Sequence, residues 1–389
     1  MIGKQLLYFS TSLILFITAV NAKIVTLDHD VNHQKMDIFE FVYKSDGLDG
    51  VIAEVSEENI VRLSHHMHEN HGRCGGFIVH DSLVEAKEFL RNSREGQLNK
   101  FFVDYSINNQ EEVNSYLEIV REDKINETIS TLSSYHNRYY KAQTGIQSSE
   151  WIADQWSDLV KGREDANVEI YRHERWPQPS IILTIDGESD ETIVIGGHAD
   201  SIAGYFGGEH NHAPGADDNA SGIATITEVI RVLAENNFKP KKTIKFMAYS
   251  AEEVGLLGSK EIARLAKQNG DKIIGVLQLD MTLYHGTSNH DIVLISDYTN
   301  QDQNAFLGQL IDTYIKLPWM YDRCGYACSD HASWTGNGFP ASFPFEAKKG
   351  DMNRRIHTNR DTLDASRGRA DHPVKFAKLA LSFLVELDR

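Results

Sequence analysis

Five short segments of the chain contain carboxylates or imidazoles, and those at strand ends place them immediately after an apolar run. They are Gly196-Gly-His-Ala-Asp200, Gly215-Ala-Asp-Asp-Asn-Ala-Ser-Gly222, Ala251-Glu-Glu253, Leu279-Asp-Met281 and Arg355-Ile-His-Thr358. A lone aspartate in such a place is more often a turn residue or a helix cap. Several such groups together are hard to explain as caps, and imidazole and carboxylate are donors that zinc binds. The segments therefore indicate a metal site.

Strands and helices alternate along most of the chain, which predicts a mostly parallel sheet flanked by helices. Strand-like runs occupy residues 180–185, 192–197, 243–250, 273–280 and 291–296, and helical patterns occupy residues 113–134, 148–159, 223–235, 257–268, 303–315 and 373–387. Ligands of such sheets bind beyond the carboxyl ends of the strands. His198, Glu253 and Asp280 each follow a strand-like run, so we expect them to meet there.

The first 22 residues predict a signal peptide cleaved after Ala22, and hence a secreted protein. Lys4 supplies the positive charge, residues 6–20 are apolar, and small residues occupy the positions that a signal peptidase reads. Residues 23–105 form a small α+β unit by their pattern, with a strand at 36–43 and helices at 57–71 and 82–93. A polar stretch follows at residues 106–114, and we place the domain boundary there, with residues 106–389 as the second unit.

Composition narrows the class of protein further. A net charge of −17 argues against a nucleic-acid binder, because nothing would neutralise the phosphates. No run after the leader is long and apolar enough to span a bilayer, so we expect no membrane association once the leader is cleaved.

The three cysteines bear on maturation. Cys324 and Cys328 lie close together, which leaves Cys74 alone. Because an odd thiol matters less in a removable segment, we interpret residues 23–105 as a prosegment cut between about residues 99 and 113.

The metal-site segments resemble those of the secreted bacterial leucyl aminopeptidases of metallopeptidase family 28, within the co-catalytic dizinc clan. The likeness runs from about residue 125 to the C-terminus and includes Pro214-Gly-Ala-Asp-Asp218 and the stretch Cys324-Gly-Tyr-Ala-Cys-Ser-Asp-His-Ala-Ser-Trp334. Residues 63–76 of the prosegment are also similar. The resemblance implies a zinc aminopeptidase/phosphorylase-like α/β fold, peptide substrates with free N-termini, and a prosegment that inhibits the enzyme or assists folding. We expect a monomer.

The resemblance implies two Zn²⁺ per subunit and assigns their ligands. Asp218 would bridge the two ions. His198 and Asp280 would complete the protein ligands of one ion, and Glu253 and His357 those of the other. Each ion would then have one imidazole, one terminal carboxylate and a share of Asp218, which leaves room for water, as a catalytic zinc site requires.

Residues next to the expected ligands are predicted to orient a ligand, transfer protons or stabilise the oxyanion. Asp200 is placed to orient the first imidazole through its second ring nitrogen. Glu252, beside a metal-binding glutamate, is the general base of the family. By resemblance, the hydroxyl of Tyr326 stabilises the oxyanion and the peptide bond Asp218–Asn219 is cis.

The resemblance also assigns an apolar side-chain pocket, which predicts preference for leucine and other large apolar residues. The expected lining is Met281, Ile295, Phe343, Phe345, Met352 and Ile356. Lys349 stands where an aromatic wall is expected. We expect its ammonium to point outward, with Asp351 as partner, because a desolvated, unpaired ammonium is costly. Cys324 and Cys328 are expected to form a disulfide that shapes the pocket around Tyr326.

Other histidines are not assigned to the metal site. They are His65, His66, His68 and His71 of the prosegment, His210 and His212 in the loop before the bridging aspartate, and His331. The prosegment histidines are expected on a solvated or partner-facing helix surface, His210 and His212 at the rim, and His331 in a structural hydrogen bond.

Three alternative functions stay open at this point. The same fold serves single-zinc glutaminyl cyclases, carboxypeptidases or dipeptidases, and non-catalytic binding ectodomains. The complete ligand set and the cysteine loop favour hydrolysis, and a metal count would separate the dizinc enzyme from the cyclase.

Overall fold

The computed structural model describes residues 22–28, 37–43, 50–71, 75–94, 103–204, 208–286 and 289–389. Residues 1–21 of the predicted signal peptide, Cys74 and residues 99–102 of the predicted cleavage segment lie outside these ranges, whereas Ala22, the last residue of that peptide, begins the first strand. Within them, no helix has the length and apolar character needed to cross a membrane.

A four-stranded antiparallel sheet forms the N-terminal part of the chain. Its strands are β1 (Ala22–Leu27), β2 (Phe39–Tyr43), β3 (Val51–Ser56) and β4 (Ile78–His80), in the order β2-β3-β1-β4. The predicted helices are present as α1 (Glu57–His71) and α2 (Leu83–Arg94). Strand alternation places Val25 and Leu27 in the cluster that contains α1, whereas Ile24 packs with α2. We refer to β1–β4 with α1 and α2 as the N-terminal unit.

An eight-stranded sheet forms the centre of the rest of the chain, in the order β11-β10-β12-β9-β7-β8-β6-β5. Its strands are β5 (Ala166–Tyr171), β6 (Ser180–Ile185), β7 (Ser189–His198), β8 (Lys242–Tyr249), β9 (Lys272–Gln278), β10 (Ile292–Ile295), β11 (Trp319–Asp322) and β12 (Ala341–Phe345). The central strands β12, β9, β7 and β8 are parallel to one another, while β6 and β10 pair antiparallel with β8 and β12. The predicted mostly parallel α/β fold is confirmed.

Helices cover both faces of this sheet. They are α3 (Gln110–Leu117), α4 (Glu122–Ser134), α5 (Gln143–Leu159), α6 (Gly222–Glu235), α7 (Leu257–Asn269), α8 (Gln301–Leu310), α9 (His331–Gly336) and α10 (Asp371–Leu387). Ile193 and Ile195 of β7 pack toward α4, α6 and α10, and Val194 packs on the other face with α7 and α9. This alternation explains why the buried central strands read as continuous apolar runs.

The prediction of one helical stretch over residues 113–134 is wrong, because the segment divides into α3 and α4. Arg121 has extended backbone angles (φ −120°, ψ 116°) at the start of α4. Its main-chain N–H donates to Oε1 of the buried Glu228, at 2.6 Å. In a continuous helix this N–H would donate to the carbonyl oxygen four residues earlier. Because it donates to the Glu228 carboxylate instead, a tertiary contact separates the two helices.

Candidate active site

The carboxyl ends of three adjacent parallel strands bring the predicted metal ligands together. His198 is the last residue of β7, Asp280 lies two residues beyond β9, and Glu252 and Glu253 follow β8 by three and four residues. Since β7 pairs with both β8 and β9, these three strand ends are neighbours. The loop that carries Asp218 precedes α6 and reaches the same edge.

Asp218 lies between two imidazoles and gives one carboxylate oxygen to each. Its Oδ1 is 3.1 Å from Nε2 of His198, and its Oδ2 is 3.2 Å from Nε2 of His357. Each imidazole also meets a second carboxylate: Oδ1 of Asp280 is 3.3 Å from His198 Nε2, and Oε2 of Glu253 is 2.8 Å from His357 Nε2. All five side chains are buried. The result is two groups of donor atoms that share one aspartate.

The donor atoms fit divalent cations better than they fit a hydrogen-bonded network. Within the described residues, His198 Nε2, Asp280 Oδ1 and Glu252 Oε2 are buried and make no hydrogen bond of acceptable geometry. Two ligand atoms on a tetrahedral zinc, each at about 2.0–2.2 Å, are about 3.3 Å apart. The distance between His198 Nε2 and Asp280 Oδ1 matches that spacing. The residues present therefore suit a pair of zinc ions.

Burial and mutual repulsion of the carboxylates dominate the electrostatics of the site. Burial raises the pKa of Glu252 well above its usual value, and the charge of Glu253 adds to this effect. Burial and the charge of Asp218 raise the pKa of Glu253 to about 7. Although burial lowers it, the carboxylates of Glu253 and Asp218 raise the pKa of His357 to about 10. Without bound ions, a protonated imidazole would therefore balance part of this negative charge.

Asp200 holds the main chain of the glutamate pair as well as facing the first imidazole. Its Oδ1 accepts a hydrogen bond from the N–H of Glu252 at 3.0 Å, and its Oδ2 accepts one from the N–H of Glu253 at 3.2 Å. The carboxylate lies 3.5 Å from Nδ1 of His198, whose shorter contact, 3.2 Å, is with the main-chain oxygen of Asp200. One residue therefore fixes a predicted ligand relative to the predicted base.

The backbone at the site adopts conformations that non-glycine residues rarely take. Ala251, Met281 and His357 have positive φ angles of 58°, 55° and 55°. Such residues cluster at functional sites, because each costs roughly 1–3 kcal/mol and persists only where the surroundings enforce it. The peptide bond Asp218–Asn219 is cis, as the resemblance implied.

Two motif glycines allow the close approach of β7 and α6 to the turn after β9. A Cβ atom on Gly197 would lie 2.5 Å from the carbonyl oxygen of Leu279, and one on Gly222 would lie 2.2 Å from the same oxygen. Any side chain at either position would therefore displace the main chain next to Asp280.

A buried polar layer beneath the predicted ligands was missed by the sequence reasoning. It includes Arg138, Asp217, Gln278, Ser329, Asp330, Glu346, Asn353 and Asp361. The carboxylate of Asp361 accepts hydrogen bonds from the N–H groups of Asp217 and Asp218, at 3.2 and 3.0 Å. Ser329 donates from its Oγ to Oδ2 of Asp280 at 2.6 Å. These bonds hold the main chain of Asp218 and the carboxylate group of Asp280 in place.

Arg138 supports the loop of Asp218 from below. Its buried guanidinium donates to the carbonyl oxygens of Ala199 and Gly215, both at 2.9 Å. Burial lowers the pKa of Arg138 to about 10, while nearby carboxylates, led by that of Asp361, oppose the shift. A positive charge is therefore buried under an acidic site. No periodicity or motif marks this arginine in the sequence.

The predicted pocket residues form one buried apolar group. Met281, Ile295, Phe343, Phe345, Met352 and Ile356 cluster with Val293, Tyr326 and Cys328, and we call this set the pocket cluster. Cys324 and Cys328 are joined by a disulfide with Cα atoms 6.3 Å apart. The short loop that they close holds Tyr326, which is fully buried.

The expectation that Lys349 points outward is wrong. Its Nζ donates a hydrogen bond to Oη of Tyr326 at 2.8 Å and lies 3.2 Å from Sδ of Met352. It also lies 4.8 Å from the centroid of the Tyr326 ring. The desolvation that argued for an outward position is offset by the phenol oxygen and by the negative face of the ring.

Helix α1 of the N-terminal unit lies against the site. The ring of His68 is 5.0 Å from the ring of His357, between centroids, and its side chain is only 11% exposed. Burial, followed by the charge of His357, lowers the pKa of His68 to about 4, so this imidazole is neutral at pH 7. The prosegment histidines were expected on a solvated or a partner-facing surface. His68 lies on a partner-facing surface, and the partner is the candidate active site of the same chain.

Ion pairs join the N-terminal unit to the rest of the molecule. Glu57 pairs with Lys141 at 2.6 Å, and Arg175 pairs with Asp81 at 2.6 Å. The buried Lys260 is 3.0 Å from Glu85, and it donates a 2.6 Å hydrogen bond to the main-chain oxygen of Val79. The unit contributes mainly carboxylates to these pairs, and the larger part contributes the cations.

Two further unassigned histidines, His331 and His210, lie in different environments. His331 is buried and contacts the main-chain oxygen of Asp297 at 3.2 Å, as expected for a structural role. His210 is exposed. A second group of donors, His285, Asp291 and His372, lies between the turn after β9 and α10, but Asp291 there pairs with Lys375.

The chain has clear relatives among known proteins. The family model described as Peptidase family M28 matches residues 180–382. A probable leucine aminopeptidase of Trichophyton verrucosum (strain HKI 0517) is 38% identical over 289 residues, which cover 72% of this chain and 78% of that protein. A probable aminopeptidase of Saccharomyces cerevisiae (strain ATCC 204508 / S288c) is 34% identical over 308 residues, or 77% of this chain and 82% of that protein.

Solved structures agree with these relatives. The crystal structure of LapB from Legionella pneumophila matches with a TM-score of 0.82 and 31% identity, over 94% of this chain and 99% of that one. LapA aminopeptidase of the same organism matches with a TM-score of 0.82 and 29% identity, over 94% and 98% of the two chains. The chain therefore belongs to peptidase family M28 and is a peptide hydrolase related to leucine aminopeptidases.

Proposed function

We propose that this protein is a dizinc aminopeptidase, which releases the N-terminal residue of peptides and prefers leucine and other large apolar residues. The observation that carries the proposal is the placement of Asp218, whose two carboxylate oxygens face two different imidazoles at 3.1 and 3.2 Å. A bridging carboxylate between two sets of one imidazole and one carboxylate is the donor set of a two-zinc site. The ligands are His198 and Asp280 on one side and Glu253 and His357 on the other.

Glu252 is the proton carrier in this proposal. The ions, when bound, supply Lewis acidity toward the scissile carbonyl. Glu252 is buried beside the ligands, and its Oε2 makes no hydrogen bond within the described residues. Its raised pKa suits a group that takes a proton from the attacking water and returns it to the leaving amine.

Tyr326 stabilises the oxyanion. Its hydroxyl oxygen accepts a hydrogen bond from Lys349, so its own proton is directed to a different acceptor. The disulfide loop and the burial of the ring hold the hydroxyl in one position, and a preorganised donor needs no rearrangement during the reaction. The pocket cluster receives the side chain of the N-terminal residue, which explains the preference for leucine.

The carboxylates select substrates with a free amine. Asp218, Glu252, Glu253 and Asp280 make the site acidic, and an α-ammonium group is attracted to it. A blocked N-terminus lacks this charge and should bind poorly.

The protein is secreted as a precursor in this account, and residues 23–105 are a prosegment that inhibits the enzyme. The contact between His68 and His357 supports inhibition, because it places helix α1 against a predicted metal ligand. The N–H groups of Asn108 and Asn109 donate to the carboxylate of Glu386 at 2.8 and 3.0 Å. Cleavage on the N-terminal side of Asn108 would preserve these bonds, so we place it between about residues 99 and 107.

A pair of substrates tests the proposal directly. Zinc-loaded protein should hydrolyse leucyl-7-amido-4-methylcoumarin and leave its N-acetylated form intact, because only the first has an α-ammonium group. Equal hydrolysis of both, or cyclisation of N-terminal glutamine without hydrolysis of the leucyl amide, would exclude an aminopeptidase.

A further inference from the structure

The pocket cluster carries a positive charge at its edge. Lys349 contacts two members of the cluster, through Oη of Tyr326 at 2.8 Å and Sδ of Met352 at 3.2 Å. The cluster is otherwise built from aliphatic, aromatic and sulfur-containing side chains. A substrate side chain that packs against this cluster would therefore meet an ammonium group beside apolar side chains.

Two strands fix the position of this ammonium. Lys349 follows β12, and its main-chain N–H donates at 3.0 Å to Oδ2 of Asp322, the last residue of β11. Tyr326 lies in the disulfide loop that follows β11. The hydrogen bond between Lys349 and Tyr326 thus links two segments that the sheet and the disulfide already hold, so the charge is part of the pocket rather than of its surroundings.

Two of the acceptors that the ammonium meets, Oη of Tyr326 and Sδ of Met352, are weaker than a carboxylate oxygen. A phenol oxygen and a thioether sulfur are neutral, and the sulfur is a weak acceptor. A carboxylate forms a charge-assisted hydrogen bond with ammonium, which is roughly twice as strong as a neutral one. A substrate carboxylate can therefore take the position of the Met352 sulfur while Lys349 keeps its bond to Tyr326. A cationic substrate side chain would instead be repelled.

We propose that Lys349 makes this pocket a recognition site for acidic N-terminal residues, whose side-chain carboxylate accepts a hydrogen bond from Nζ. The aliphatic part of a glutamyl or aspartyl side chain packs on the pocket cluster, and leucine uses the cluster alone. This inference rests on the proposed aminopeptidase function, since it names a second class of substrate for the same site. Lys349 is a specificity residue in this account, and Glu252 performs the same chemistry on both classes.

The test compares leucyl, glutamyl, aspartyl and lysyl coumarin amides, with the enzyme in the form that hydrolyses the leucyl substrate. Lys349→Met removes the charge and keeps the stem, and Lys348→Met makes the same change of net charge one residue away. Because Lys349 also bonds to Tyr326, the readout is the ratio of kcat/KM for the acidic substrates to kcat/KM for the leucyl substrate. We expect Lys349→Met to lower this ratio about ten- to hundredfold, the effect of losing a hydrogen bond to a charged group. The ratio of the lysyl to the leucyl value should rise, and Lys348→Met should leave both ratios unchanged.

Several outcomes would overturn the inference. They are failure of the wild type to cleave acidic substrates while it cleaves leucyl ones, an equal loss for all substrates in Lys349→Met, and the same loss in Lys348→Met. An equal loss would mean that Lys349 only positions Tyr326. If the wild type cleaves none of the substrates with zinc bound, the proposed function itself has failed, which is a distinct result.

A measurement on the wild type guards against a variant that does not fold. Free L-glutamate and L-glutamine have the same shape and differ in side-chain charge. As competitive inhibitors of leucyl hydrolysis, we expect glutamate to have an inhibition constant about ten times lower. Equal constants would contradict the inference without any substitution.

Discussion

The imidazole of His68 lies 5.0 Å from that of His357, between ring centroids, although the two residues belong to different parts of the fold. His68 is on helix α1, and His357 is a predicted zinc ligand that also contacts Asp218 and Glu253. Helix α1 therefore lies directly against one of the predicted zinc ligands. The contact therefore leads to a prediction about maturation.

Removal of residues 23–105 should raise aminopeptidase activity. If the covered form dominates, kcat/KM of the uncleaved chain is lowered by the fraction of open molecules, roughly tenfold for each 1.4 kcal/mol. Limited proteolysis followed by the leucyl assay and N-terminal sequencing measures this. An active secreted form that begins near Lys23 would contradict the prediction.

Single substitutions on α1 test whether His68 is the residue that matters. His68→Ala should raise the activity of the uncleaved chain. His66→Ala serves as the matched control, since the His66 ring contacts His71 and Asn70 on the same helix. If the two variants behave alike, the contact with His357 has no special role in inhibition.

Glu252→Gln should fold, keep both zinc ions and lose most of kcat. Only proton transfer is removed, and general acid–base catalysis contributes typically about 10²–10⁴-fold. The control is Glu209→Gln, at an exposed glutamate, which should turn over normally. Near-normal turnover of Glu252→Gln with full metal content would remove Glu252 from the mechanism.

Asp218→Ala should lose metal as well as activity, because both sets of donor atoms share this carboxylate. The zinc content after dialysis, measured by mass spectrometry of the metal, distinguishes this from the glutamate variant. Retention of two ions per chain in Asp218→Ala would show that the carboxylate does not bridge them.

Zinc binding should release protons at pH 7. Burial lowers the pKa of His357, but Glu253 and Asp218 raise it to about 10 in the ion-free site, so an incoming ion must displace a proton. Apparent affinity should therefore rise with pH up to about 10. Titration calorimetry in buffers of different ionisation enthalpy measures the release, and a value near zero would contradict the charge state derived for the site.

The same raised pKa predicts how the ion-free protein responds to alkali. A histidine whose folded pKa exceeds its unfolded value of about 6.5 contributes its full stabilisation below pH 6.5 and loses it as pH rises through the folded value. The ion-free protein should therefore become less stable between pH 7 and pH 10, and added zinc should reduce this loss. A thermal midpoint that rises over the same range would contradict the assignment.

The sequence predicted the sheet and the convergence at its edge because strand order and polar strand ends are local signals. His198 and Asp280 follow buried apolar runs, and parallel strands bring such ends together. Glycines in the same motifs are also a local signal of close packing. Gly197 and Gly222 leave room for the carbonyl group of Leu279.

The rest depended on contacts between distant segments, which leave no local pattern. Arg138 lies under the site only because its guanidinium bonds to carbonyls more than 60 residues away. The inward direction of Lys349 depends on the approach of the disulfide loop to the segment after β12, which places an aromatic ring under the ammonium. The break between α3 and α4 similarly depends on Glu228, far along the chain. In all three cases, hydrogen bonds or ring contacts with residues far along the chain stabilise the observed conformation.

A zinc titration of the ion-free, prosegment-free enzyme tests the central claim most directly. Bound zinc and the rate of leucyl-coumarin amide hydrolysis are measured in the same samples. Because Asp218 faces both His198 and His357, we predict two equivalents of zinc per chain and a rate that reaches its maximum only as the second equivalent binds. Maximal hydrolysis with a single zinc per chain, or two bound zinc ions without hydrolysis, would contradict the account.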